Sequence, residues 1–155
     1  MKIIEKIVSG GQTGADRAAP DWAIARGIPH GGWCPKGRRA EHGVIEARYE
    51  LRETPTSNYV QRTEWNVRDS DGTAIFTVGQ TLTGGSKKTA ELAARHGKPW
   101  IHLTKAAGGD SAAALRQFLI GNRIRALNVA GPRASKEPDV GSFVQEVLTR
   151  LVTQA

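Results

Sequence analysis

Apolar residues along this chain gather in two kinds of stretch that alternate from end to end. Short, nearly continuous runs read as buried strands. They are Ile3 to Val8, Thr73 to Val78, Pro99 to Leu103 and Ala126 to Ala130, with a shorter candidate at His30 to Trp33. Between them lie stretches with helical spacing. Ala18, Ala19, Trp22, Ala23 and Ala25 precede Gly27, and Ser57 to Arg68 carries Val60, Thr63, Trp65 and Val67 behind a Ser57 or Asn58 cap. Ser86 to His96 carries Ala90, Leu92, Ala93 and Ala94 before Gly97. Asp110 to Ile120, capped by Asp110 or Ser111, and Val140 to Val152 complete the set. Ile45 to Leu51 shows no clear period and reads as a short helix or irregular segment.

Strands alternating with helices, the strands nearly continuously apolar, predict a parallel sheet covered on both faces. About five strands and five helices fit the 155 residues, and no repeat, low-complexity tract or linker divides them. The expectation is one α/β domain over residues 1–155. In such folds a ligand sits outside the carboxyl ends of the strands, where the strand order reverses. Two strands here end in glycine-rich loops that open helices, at Gly10 to Asp16 and at Gly79 to Ser86. That pairing predicts one cleft with both loops on its rim.

Composition narrows the function. No apolar run approaches the ~20 residues that span a bilayer, and the N-terminal MKIIEKIVSG lacks the long apolar core and small-residue cleavage site of a signal peptide. The expected location is the cytoplasm, without a membrane partner. One cysteine, Cys34, excludes an intrachain disulfide and an all-cysteine metal site within a subunit. The four histidines, at 30, 42, 96 and 102, show no metal-ligand spacing, so no metal site is expected. A net charge of +7 favours anionic partners. The bases are dispersed (Lys36/Arg38/Arg39, Lys87/Lys88, Arg123/Arg125, Arg133/Lys136), and aromatics are only 6% of the chain. Nucleic acid is disfavoured by that pattern, and a small phosphorylated ligand fits it.

Three constellations carry the chemistry. GGQTGAD at Gly10 to Asp16 places three glycines after a strand, suited to close approach of a ligand to main-chain N–H groups and a helix N-terminus. It lacks the G-x-G-x-x-G spacing of a dinucleotide fingerprint. Asp16 reads either as a complement to the helix dipole or as a ligand contact. Gly79 to Ser86 matches the P-loop spacing except that Gly85 stands where the lysine belongs, which argues against nucleoside triphosphate hydrolysis. A main-chain nest remains, with hydroxyls from Thr83, Ser86 and Thr89. Third, GGWCPKGRRAE sets Lys36, Arg38 and Arg39 on a basic lip, with Cys34 reading as a small buried hydrophobe.

These motifs, with Y-x-L-x-E-T at Tyr49 to Thr54, NYVQRTEWNVRDSDGT at Asn58 to Thr73 and LTGGSKKT at Leu82 to Thr89, resemble the molybdenum carrier family over about residues 4–105. That family is similar to the molybdenum-cofactor carrier proteins and sits in a wider group with lysine-decarboxylase-like nucleoside-monophosphate phosphoribohydrolases. The resemblance implies a Rossmann-like, three-layer α/β/α fold with a mostly parallel sheet. It also implies a homo-oligomer, dimer or tetramer, and a cleft for a nucleotide-like or pterin-phosphate ligand. The residues it singles out are Gly10, Gly11, Thr13, Gly14 and Asp16 in the first loop and Gly84, Gly85 and Thr89 in the second, with the basic lip between them. The enzymatic cousins carry P-G-G-x-G-T-x-x-E, where this chain has TGGSKKTAE. Both glycines and Glu91 are kept, but Lys87 and Lys88 replace the Gly-Thr pair and Thr83 replaces the proline. The function expected is therefore binding or carriage of an anionic, phosphate-bearing small molecule, either molybdenum cofactor or a nucleotide. The alternative is hydrolysis of the N-glycosidic bond of a nucleoside monophosphate, with Glu91 or Asp16 as the carboxylate.

Overall fold

The computed structural model describes residues 2–154. Strands β1 (Lys6–Val8), β2 (His30–Gly31), β7 (Gly72–Thr77), β8 (Trp100–Thr104) and β9 (Ala126–Ala130) form one sheet in the order β2-β1-β9-β7-β8. Every pairing in it is parallel. The helices are α1 (Ala15–Ala25), α2 (Tyr59–Arg68), α3 (Gly84–Arg95), α4 (Ser111–Gly121) and α5 (Val140–Thr153). The α/β class, the parallel sheet and all five long helices match the expectation from periodicity.

Faces follow from the alternation of side chains along the strands. Ala74 and Phe76 of β7 and Leu127 and Val129 of β9 join the main core with Trp22 of α1, Leu115 of α4 and Leu148 of α5. Phe76 meets Phe143 of α5 edge to face at 5.8 Å. The opposite face carries Thr73 and Thr77 of β7 and Asn128 of β9, all buried, on the side covered by α2 and α3. Those helices share a separate small cluster of Val67, Leu92 and Ala93. Three polar side chains on one sheet face are what a core avoids unless they are paired or serve a site. Asn128 Nδ2 donates to Thr73 Oγ1 at 3.1 Å, which satisfies one such pair.

The strand order has a consequence for the site. The last strand in sequence, β9, lies at the centre of the sheet between β1 and β7. Counted from β9 instead of β1, the order becomes third, second, first, fourth, fifth. That is the doubly wound order, cut open at a different point of the chain. The reversal falls between β9 and β7, so the ligand crevice lies where Gly131 and Val78 leave the sheet. Gly131 fits there because a Cβ would stand 2.3 Å from the Phe76 carbonyl oxygen.

Between Trp33 and Glu53 the chain forms four two-residue strands apart from the sheet. Strand β3 (Trp33–Cys34) pairs in parallel with β6 (Arg52–Glu53), and β4 (Arg39–Ala40) pairs antiparallel with β5 (Gly43–Val44). The single strand expected at His30 to Trp33 is split, because Gly32 at φ 130° turns the chain out of the main sheet. Ile45 to Leu51 is irregular. Cys34 is fully buried beside Ile45 and Tyr49, as a small hydrophobe would be, and burial pushes its thiol pKa up.

Candidate functional site

A cleft of about 390 Å³ opens at the point where the strand order reverses. Its floor is Thr77 and Asn128 from the polar sheet face. One wall is α2, through Tyr59, Arg62, Thr63 and Asn66, and another is the start of α3, through Thr83, Gly85, Ser86 and Thr89. Gly10, Gln12 and Asp16 close the third side, and Arg133, Lys136 and Glu137 from the loop between β9 and α5 close the fourth.

The first loop is built around an ion pair. Gly10 carries no Cβ because one would stand 1.9 Å from Arg62 Nη1, so the arginine stem lies flat over the backbone there. Arg62 Nη1 donates to Asp16 Oδ2 at 3.0 Å, with each side chain about 10% exposed. Burial raises the Asp16 pKa to about 6, against the pull of Arg62. Desolvation thus outweighs the nearby positive charge. The backbone of Asp16 is fixed too. Pro20 lies inside α1 and cannot donate to the carbonyl four residues before it, and Ser9 Oγ donates to that carbonyl instead at 2.7 Å.

Gly11, Thr13 and Gly14 do not line the cleft. Gly14 has φ 82°, and a Cβ on it would meet the Pro132 carbonyl oxygen at 2.5 Å. It lets the turn into α1 pack on the loop after β9. Thr13 Oγ1 donates to Glu41 Oε1 and accepts from Ala134 N. Glu41 also accepts from Ser135 N at 3.1 Å and Ser135 Oγ at 2.5 Å, and these donors hold its pKa near 2. Glu41 therefore staples the two loops together from behind.

The second loop supplies a helix end. No side chain caps α3, as none caps α1 or α5, whereas α2 and α4 are capped by Asn58 and Asp110. Thr83, Gly85, Ser86 and Thr89 all reach the cleft, although Thr89 Oγ1 donates back to the Gly85 carbonyl at 2.8 Å. Gly84 does not line it. A Cβ there would stand 3.2 Å from Lys136 Nζ, which places that ammonium against the start of α3. Glu137 occupies the main-chain donors at the end of β7, accepting from Val78 N at 2.8 Å and Gly79 N at 2.9 Å.

The basic lip lies elsewhere. Arg38 donates to the carbonyls of Ile45, Glu46, Tyr49 and Leu51 and so pins the irregular segment. Lys36 and Arg39 are exposed and outside the cleft lining. Glu91 is also off the lining, its side chain 52% exposed and 4.0 Å from Lys88. The cleft's cations are instead Arg62, Lys88, Arg133 and Lys136. Arg133 and Lys136 are visible in the sequence as a basic pair. Arg62 and Asn66 sit four residues apart on α2, and that spacing is the available signal for a polar stripe facing the sheet. Asn66 grips Trp33 by its backbone, accepting from N at 2.7 Å and donating to O at 2.9 Å.

Among the described residues no group of three or more His, Cys, Asp or Glu side chains is placed to hold a metal ion. No described helix is long and apolar enough to cross a membrane.

Comparison with known proteins agrees with the fold. A solved structure of a "putative molybdenum carrier protein" from Syntrophus aciditrophicus SB superposes with a TM-score of 0.94 at 46% identity, covering 96% of this chain and 95% of that one. The curated proteins give no match. The model of the circularly permutated YpsA SLOG family matches residues 7–152, and a last strand at the centre of the sheet is compatible with a permuted chain. With that model spanning nearly the whole chain, the chain belongs to the circularly permutated YpsA SLOG family.

Proposed function

We propose that this protein binds or carries an anionic, phosphate-bearing small molecule in the cleft between β9 and β7. The observation that carries the reading is the meeting of cations with an uncapped helix end. Lys136 lies against the start of α3, and Arg133 lines the same space. The described ion pairs engage neither Arg133 nor Lys136, and Lys88 has only Glu91 at 4.0 Å. A helix N-terminus and unpaired cations around one cavity are complementary to phosphate. The volume of about 390 Å³ is within the range of small-molecule sites.

Molybdenum cofactor, suggested by the Syntrophus relative, and a nucleotide are the two candidate ligands. Both present a phosphate and a planar ring system, and the half-exposed Tyr59 beside Val60 gives the ring an apolar surface at the mouth of the cleft. With no cluster of ligating side chains among the described residues, recognition of the cofactor rests on its phosphate and pterin. Gly10 and Asp16 then act through Arg62, and Thr83, Gly85, Ser86 and Thr89 act directly. We further propose a cytoplasmic homo-oligomer, dimer or tetramer, which light scattering on purified protein checks.

Calorimetric titration with molybdenum cofactor and with a panel of nucleotides tests the reading. Saturable binding is expected, weakened roughly 10-fold or more in Lys136→Ala by loss of one charged contact. Absence of binding by well-folded protein to either ligand class refutes it.

A further inference from the structure

Arg62 is held by one arm only. Among the described side-chain nitrogens and oxygens, Arg62 Nε alone is sealed from solvent without a hydrogen-bond partner. Nη1 is committed to Asp16. Nη2 makes no hydrogen bond to the protein and is not sealed, and Arg62 lines the cleft. A guanidinium built only to neutralise Asp16 would present a two-pronged edge to the carboxylate, since that is its strongest geometry. Here the contact is single-pronged. The side-on edge, Nε with Nη2, is left over at the wall of the cleft. An orphan donor this deep costs free energy until something accepts from it.

We propose that Arg62 is a phosphate-binding residue of the cleft, its Nη2–Nε edge receiving the ligand's phosphoryl oxygens while Nη1 remains on Asp16. The inference rests on the reading that the cleft takes a phosphate-bearing molecule, and it adds which side chain orients the phosphate. Nη2 meets the incoming oxygen first. A small swing of the guanidinium then uncovers Nε; the Tyr59 ring lies over the guanidinium, its centroid 5.6 Å from Arg62 Cζ, and Tyr59 is 41% exposed. Asp16 plays two parts in this arrangement. It aims the fork, and its negative charge opposes the incoming phosphate.

Those parts give substitutions of opposite sign. Inorganic phosphate and adenosine 5′-monophosphate are titrated calorimetrically into wild type, Arg62→Lys, Asp16→Asn and Lys136→Ala, with circular dichroism and melting curves on each. Arg62→Lys keeps the charge but loses the planar edge, and is expected to weaken adenosine monophosphate binding roughly 10- to 100-fold. Asp16→Asn removes the opposing charge and is expected to strengthen it about threefold or more. A purely structural pair predicts that both changes weaken binding by loosening the wall. Unchanged affinity in folded Arg62→Lys overturns the proposal. If that variant does not fold, weaker binding by folded Asp16→Asn overturns it. Binding that Lys136→Ala weakens and Arg62→Lys does not leaves the cleft reading standing and this one refuted. No binding by wild type refutes both.

Discussion

The ionisation of Asp16 allows the most demanding test of the site's physics. Its ordinary pKa is 3.8 and burial raises it to about 6 in the fold. The folded state therefore holds the Asp16 proton more tightly than the unfolded chain does. The stability this contributes is fully present below about pH 3.8 and is lost as pH rises through about 6. At 1.36 kcal/mol per pKa unit, the interval is worth about 3 kcal/mol. The nearby Arg62 does not reverse the sign, because the desolvation of a carboxylate exceeds what one single-pronged contact returns. Asp16→Asn mimics the neutral form at every pH. The difference in unfolding free energy, wild type minus Asp16→Asn, should therefore fall by roughly 2 kcal/mol between pH 4 and pH 7, the remainder of the interval lying below pH 4. Guanidinium denaturation of both proteins at four pH values reads that difference and cancels every other titrating group. A difference that is flat, or that rises with pH, would show that Arg62 fully compensates the carboxylate, and the account of a strained ion pair would be wrong.

Three further outcomes follow from the packing. Gly14→Ala forces a side chain onto φ 82° and against the Pro132 carbonyl, and should cost on the order of 3 kcal/mol in chemical denaturation. Glu41→Gln removes the charge from the staple between the loops. Because the Glu41 pKa is lowered from 4.5 to about 2, wild type should keep the staple above pH 4.5 and lose it as pH falls toward 2, so the two melting temperatures should converge in acid. Arg38→Ala should speed hydrogen exchange in residues 45–51, whose carbonyls it pins, and leave ligand titrations unchanged; weaker binding would return the basic lip to the site.

The sheet and helices are legible in the sequence because each announces itself by a local period. TAIFTV and ALNVA are short aliphatic and aromatic runs broken only by threonine and asparagine, and the helices carry apolar stripes between capping residues and glycines. The place of β9 is not legible in the same way. Insertion between β1 and β7 depends on pairings such as Val8 with Asn128 and Ala74 with Val129, which no local pattern specifies. That one long-range fact moves the loop carrying Arg133 and Lys136 into the site. Arg38 illustrates the reverse error. A cation between glycine and a second arginine in a polar segment looks free, and only the folded chain shows four carbonyls converging on it. Arg62 is obscure for a related reason, since it is a polar residue in a polar helix until Gly10 reveals the space kept for its stem.

The charges of the cleft, taken together, support the proposal that it holds an anionic ligand. Its lining contains two carboxylates, Asp16 and Glu137, and the fold already uses both. Asp16 is tied to Arg62, and Glu137 is tied to the amides of Val78 and Gly79. A general base or a stabiliser of an oxocarbenium-like state needs a carboxylate free to face the reacting atoms. Glu91, the acid kept from the hydrolase pattern, faces solvent beside Lys88. The donors are in the opposite condition. Arg133, Lys136, the uncapped start of α3 and the spare edge of Arg62 all lack a partner within the described residues. An engaged set of acids beside an unengaged set of donors is complementary to an anion, and that asymmetry supports the proposal that the cleft retains its ligand by the phosphate.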